Sequence, residues 1–200
     1  MRKYLKAAVL TSALAVLAAC LGAKSMMVVY TINPAPALKN YTVFLAVNDR
    51  RALQDLVGPT ARNQGLFQEL RADRFDLKII RPDGSEITIT QLSTPEAVKE
   101  AVSRRLASRS VVVTAQRSAA QLTVEVDIQT LSLDVVDGDL VATVNLTGRV
   151  YRDASSVTSS EARVNSNRIK LLGGMGGSRV LSEALTQAVN DLDFSAINSY

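Results

Sequence analysis

The chain has no histidine and no tryptophan, a single cysteine, and 4% aromatic residues among its 200. Without histidine, Ser-His-Asp and Cys-His nucleophilic sites are excluded, as is any His-ligated metal. One cysteine excludes an intrachain disulfide, a CxxC redox pair and a thiolate zinc cluster. No serine has a lysine three residues on, so the Ser-x-x-Lys nucleophile is absent as well. Scattered carboxylates remain, but spacing alone does not identify a glycosidase pair. What is present is a 47% hydrophobic, 21% charged composition. That is too apolar and too weakly charged for a disordered chain, and the length suits one domain with a real core or two small ones.

The cysteine stands in a telling place. Arg2, Lys3 and Lys6 form a basic start, and Ala7 to Ala19 is an uncharged run of 13 residues. Spanning a bilayer takes about 20 residues, so this run has the length of a secretory signal rather than of an anchor helix. It closes on Leu17-Ala18-Ala19-Cys20, which resembles the lipobox of bacterial lipoproteins. There the thiol carries the lipid through a thioether, the chain is cut before the Cys, and the new amino group is acylated. The competing readings are an ordinary signal peptide with a chance Cys and an N-terminal transmembrane anchor. Leu21 follows the Cys where an Asp would retain a lipoprotein at the inner membrane, so the outer membrane is the expected destination and the inner membrane the alternative.

Loss of residues 1–19 removes three basic residues and no acid, leaving 20 basic and 19 acidic residues in a mature chain of 181. The precursor's net charge of +4 falls to +1, and with it goes the electrostatic case for a nucleic-acid partner. The expected organisation is a signal peptide over 1–19, acylated Cys20 and a tether over 20–39, and one periplasmic α/β domain over 40–200. Within the tether, Met26 to Ile32 reads as a candidate first strand ended by Asn33-Pro34-Ala35-Pro36.

Tyr41 to Val47 reads as a buried strand. Residues 52–75 hold no steady period, with turn signals at Gly58-Pro59 and Asn63-Gln64-Gly65. Leu77 to Ile80 and Glu86 to Thr90 form a hairpin about Pro82-Asp83-Gly84. Ser93-Thr94-Pro95-Glu96 opens a helix, whose apolar face is Ala97, Val98, Ala101, Val102 and Leu106. Val111 to Val113 reads as a short buried strand. The strongest pattern is the alternation Leu122, Val124, Val126, Ile128 and Leu140, Ala142, Val144, Leu146 on either side of Asp137-Gly138, a long hairpin with a bulge after Ile128. Residues 159–170 suit a polar edge strand. Gly173 to Gly177 reads as a joint into a last helix, with Ser178 its N-cap and Val180, Leu181, Ala184, Leu185, Ala188, Val189 and Leu192 its stripe. The class is α/β in the α+β sense: one domain, an antiparallel or mixed sheet, and two main helices on one face.

Other constellations have simpler readings. The glycine run lacks the Lys of a P-loop and the spacing of a dinucleotide fingerprint. Asp134, Asp137 and Asp139 miss the spacing of a calcium loop and read as a charged hairpin tip. Asp49, Arg50 and Arg51 read as a salt-bridged strand end rather than a site.

Together, the lipobox, Val47-x-Asp49-x-Arg51, the helix pairs Ala97-Val98, Ala101-Val102 and Arg105-Leu106, the long hairpin and the last-helix pairs Ala184-Leu185 and Ala188-Val189 resemble the YajG family of bacterial lipoproteins. That resemblance implies an envelope lipoprotein of unassigned molecular role with no catalytic residues. A second, shorter pattern, Tyr30-x-Ile32-x-Pro34, is similar to the opening of auxiliary lipoproteins of ABC-type lipid transport systems. The expectation is a non-enzymatic protein lipidated at Cys20, with no catalytic, metal or cofactor site. It meets the membrane through its lipid and acts through an envelope protein partner.

Overall fold

The computed structural model describes residues 25–68, 73–153, 155–169 and 176–199. Along the chain run β1 (Met27–Thr31), β2 (Thr42–Asp49), the short helix α1 (Pro59–Asn63), β3 (Arg74–Ile80), β4 (Glu86–Ser93), α2 (Thr94–Ser108), β5 (Val112–Thr114), β6 (Leu122–Val136), β7 (Asp139–Arg152), β8 (Ser155–Ile169) and α3 (Gly177–Asp191). The mixed α+β class is as the sequence reads. The strands divide, however, between a three-stranded sheet of order β1-β3-β4 and a five-stranded sheet of order β5-β2-β6-β7-β8.

The large sheet is built on the β6–β7 hairpin. Alternation turns Leu122, Val124, Val126 and Ile128 to the core, and a register shift between Ile128 and Thr130 resets the phase so that Leu131, Leu133 and Val135 also face inward. At the tip, Asp137 and Gly138 both take positive φ (52° and 89°), as a two-residue hairpin turn requires. β8 extends this meander antiparallel to β7, while β2 lies parallel to both β5 and β6.

The two long helices cover one face of this sheet. In α2, Ser93 and Glu96 form the reciprocal capping box, with Glu96 Oε2 accepting the Ser93 N–H at 2.8 Å. All five residues of its expected apolar face are fully buried. α3 buries its stripe likewise, but Ser178 is not its cap. Gly176, in the left-handed region at φ 111°, stands in that place. The Ser178 hydroxyl instead donates to the Met27 carbonyl. Residues 173–175 of the glycine-rich joint, and Cys20 with the whole lipobox, lie outside the described residues.

Ser178 begins a second, polar stripe on α3. Ser182, Thr186 and Asn190 follow at intervals of four and bond the main chain of β1: the Val29 N–H to Ser182 Oγ at 2.8 Å, the Thr31 N–H to Thr186 Oγ1 at 3.2 Å, and Asn190 Nδ2 to the Thr31 carbonyl at 2.8 Å. β1 pairs with β3 on one edge, and the helix supplies the hydrogen bonds of its other edge. Met26, Val28, Tyr30, Ile32 and Leu38 are all buried, so the segment from Met26 onward is packed into the core.

One expected strand differs. Val111 is buried, but the strand itself is Val112–Thr114, a three-residue edge beside β2, and Val112 is 52% exposed. Among the described residues one strand pairs with it, β2, and Val112 stays open to solvent.

Candidate functional site

Asp49, Arg50 and Arg51 leave the carboxyl end of β2 and organise two polar clusters. Arg51 turns inward and is almost wholly buried. Its guanidinium forks onto Asp49, with Nε and Nη2 at 2.9 and 2.8 Å from the two carboxylate oxygens. Nη2 also reaches Asp73 Oδ2 at 3.1 Å, and Nη1 donates to the Leu131 carbonyl at 3.3 Å. Asp73 in turn accepts the Thr94 hydroxyl at 2.9 Å. One side chain thereby ties the end of β2, the middle of β6, the residue before β3 and the first residue of α2. The salt-bridged reading of this triplet is what the geometry presents. Bonding to Arg51 holds the Asp49 carboxyl below the usual range despite its partial burial.

The second cluster lies on the face of the large sheet opposite the helices. Burial pushes the Asp127 carboxyl up, but hydrogen bonds from Asn48 Nδ2 at 2.9 Å and Arg149 Nη1 at 2.7 Å outweigh it and hold the group low, with Arg50 at 3.9 Å adding to the effect. Around it Glu125, Thr143, Thr147 and Glu161 point outward from the strands and are at least partly exposed. Arg117 covers Phe44 near the β5 edge, 6.0 Å from the ring centre. This face is broad, polar and mixed in charge.

Beside the Arg51 cluster, where the β6 bulge meets the β2–α1 connection, is an open cleft of about 390 Å³. Leu53, Val57, Pro59 and Leu131 give it apolar walls, and Arg62 and Asp134 stand at its polar side. These charges are matched within the chain. Arg62 pairs with Asp55 at 2.8 Å, and Asp134 Oδ1 accepts the Ala61 and Val135 N–H groups at 2.7 and 2.8 Å, fixing the start of α1 to β6. Gly58 is needed here, because a Cβ would stand 2.3 Å from Asp134 Cγ. The cleft is at the small end of ligand pockets, which run from about 300 to 1,000 Å³.

Asp49 and Asp127 are held ionised near neutral pH, so neither offers a proton there as a general acid. Among the described residues no group of three His, Cys, Asp or Glu side chains could hold a metal ion. Asp137 and Asp139 lie at the hairpin tip, while Asp134 belongs to the cleft. Sequence reasoning gave no structural role to Arg105 of α2 or to Arg109 at the C-cap of that helix. Arg105 donates to the Asn33 carbonyl, and Arg109 Nε to the Pro36 carbonyl at 3.0 Å, clamping the β1–β2 connection. Their spacing of four on the apolar side of the helix was the available signal. Tyr30 is buried beside Arg105, and burial pushes its phenol well up.

No family model matches the sequence, and a comparison with curated proteins finds no match. Solved structures do align. Protein XCC0632 from Xanthomonas campestris, family model DUF330, matches with a TM-score of 0.55 at 15% identity over 86% of this chain and 96% of that one. At that level the two share a fold. PelC from Paraburkholderia phytofirmans, a dodecamer, aligns at a TM-score of 0.40 and 13% identity over 82% and 92% of the two chains. Lipoprotein GNA1162 from Neisseria meningitidis aligns at 0.31 and 12% over 78% and 99%. Overlaps as loose as the last two add nothing on role. Among the described residues no helix is long and apolar enough to cross a membrane.

Proposed function

We propose that this chain is an envelope lipoprotein, anchored through Cys20 in the outer membrane and facing the periplasm, that works by contact with another envelope protein rather than by catalysis. The anchor rests on Leu17-Ala18-Ala19-Cys20. The contact role rests on one structural observation: among the described residues nothing covers the face of the large sheet opposite its helices, which carries a built polar cluster at Asp127 and matched charges in the adjoining cleft. A photo-crosslinker at Thr147, in the middle of that face, should capture one defined envelope protein in intact cells. The same probe at Thr88 on β4 should not. Equal capture at both positions, or none at Thr147, contradicts the role. Ester, peptide and glycan substrates should all survive incubation with the protein. Glycan turnover abolished by replacing one Asp or Glu would contradict the non-enzymatic reading.

A second reading, an auxiliary lipoprotein of an ABC-type lipid transport system, is supported by Tyr30-x-Ile32-x-Pro34. Tyr30 and Ile32 are both core residues, and Arg105 grips Asn33 between the last two positions of the pattern. The motif is therefore built into the fold rather than lying loose on the tether. Phospholipid copurifying with the chain favours this reading, and its absence favours the first.

A further inference from the structure

We propose that the chain forms a two-fold symmetric dimer by pairing β8 with β8 of a second copy, antiparallel, with Ala162 opposite its own counterpart. The proposal goes beyond the reading above and does not depend on the lipid.

β8 is the last strand in its sheet, and its outer edge pairs with no described strand. It runs for 15 residues, about 50 Å at the usual rise, far beyond the five or six residues typical of a strand. Such an edge is a template for another strand unless it is short, bulged, interrupted by proline or covered. The molecule covers the edge of β1 with the polar stripe of α3. Among the described residues nothing does the same for β8: α3 meets the strand on its face, through Glu183 with Ser166 and Arg168. The strand has no proline, and its one irregularity is at the end near Tyr151.

The charges select the partner and the register. Ala162 is the midpoint of Ser155–Ile169, and Glu161 and Arg163 flank it, both exposed on the open face. In a two-fold antiparallel pair, residues equally far from the centre stand opposite one another. Glu161 of each copy then faces Arg163 of the other, a favourable cross-strand pair, and Arg168 meets Ser156. Sliding by one step while keeping the faces aligned would set Glu161 on Glu161 or Arg163 on Arg163. The register that satisfies the charges is also the one that pairs all 15 residues. It keeps Ala162 and Val164, which are buried, on the helix side of both copies, and the product is one continuous ten-stranded sheet.

Charge reversal tests this in the chain extracted with detergent, by analytical ultracentrifugation. Wild type should sediment as a dimer. Glu161→Arg and Arg163→Glu should each be at least tenfold weaker in self-association, since each sets like charges opposite. Mixing the two variants should give a heterodimer, and the double variant E161R/R163E should dimerise again. Both positions are exposed, so melting temperatures should match wild type and separate lost association from lost folding. A monomeric wild type overturns the proposal. So do single variants that dimerise undiminished, or a mixture that fails to associate.

Discussion

Ser182 Oγ accepts the main-chain N–H of Val29 at 2.8 Å, across 153 residues of sequence. The same hydroxyl donates to the Ser178 carbonyl one turn back, so the bond to β1 is held by the helix that makes it. Repeated at Thr186 and Asn190, this contact makes α3 the lateral partner of a β-strand. The apolar stripe of the helix fills the core while a polar stripe, four residues apart, closes a sheet edge.

Ser182→Ala should therefore destabilise the protein by about 1–2 kcal/mol, the penalty of leaving a partly buried N–H unpaired. Thr186→Val, which keeps the shape but removes the hydroxyl, should act in the same direction. Urea denaturation reads both as a lower midpoint at constant slope. An unchanged midpoint would mean that water replaces the helix at this edge.

Arg51→Met should cost about 3 kcal/mol, because it strands two carboxylates, Asp49 and Asp73, that the guanidinium neutralises at the junction of the two sheets. Arg51→Lys should recover little, since a single ammonium cannot fork onto Asp49 while reaching the Leu131 carbonyl. Thermal melts of both variants provide the check, and a loss below about 0.5 kcal/mol in Arg51→Met would reduce this network to an exposed ion pair.

Leu185→Asp should prevent stable folding. Leu185 is fully buried at the middle of the α3 stripe. An unpaired carboxylate there costs several kcal/mol, against a total of about 5–15 kcal/mol for a domain. Circular dichroism showing a wild-type melting temperature would contradict the packing of α3.

The pH dependence follows from the two low carboxyls. Asp49, bonded to Arg51, and Asp127, held low by Asn48 and Arg149 against the opposing effect of burial, lie below their unfolded values. Their contribution is therefore fully present above the ordinary Asp value of about 3.9 and is lost as pH falls through the folded values. With no histidine in the chain, stability should be flat from about pH 5 to 8 and fall below about pH 4. A stability transition near pH 6 would contradict this assignment.

Much of the fold was legible because local signals agreed with one another. The Asp137-Gly138 turn between alternating strands, the bulge after Ile128, and the Ser93-Thr94-Pro95-Glu96 start of α2 each depend on neighbours in sequence. The division into two sheets was not legible. It depends on β1 pairing in parallel with β3, some fifty residues on, and on serines and threonines of α3 standing in for a strand. Such residues read as ordinary helix surface. Ser178 was misread as a cap for that reason: Gly176 offered a left-handed start that freed the hydroxyl for β1. At the site, the salt-bridged character of Asp49 and Arg51 was readable from their position at a strand end, whereas Asp73, Thr94, Asp127 and Arg149 come together only through the fold.

The most direct test of the account is metabolic labelling with palmitate in cells producing the wild-type chain and Cys20→Ser. A hydroxyl cannot form the thioether, so label should appear on wild type alone. The variant should persist as precursor, longer by the 19 residues ahead of Cys20. Label on the serine variant, or an unlabelled wild type cut elsewhere, would contradict the lipoprotein assignment.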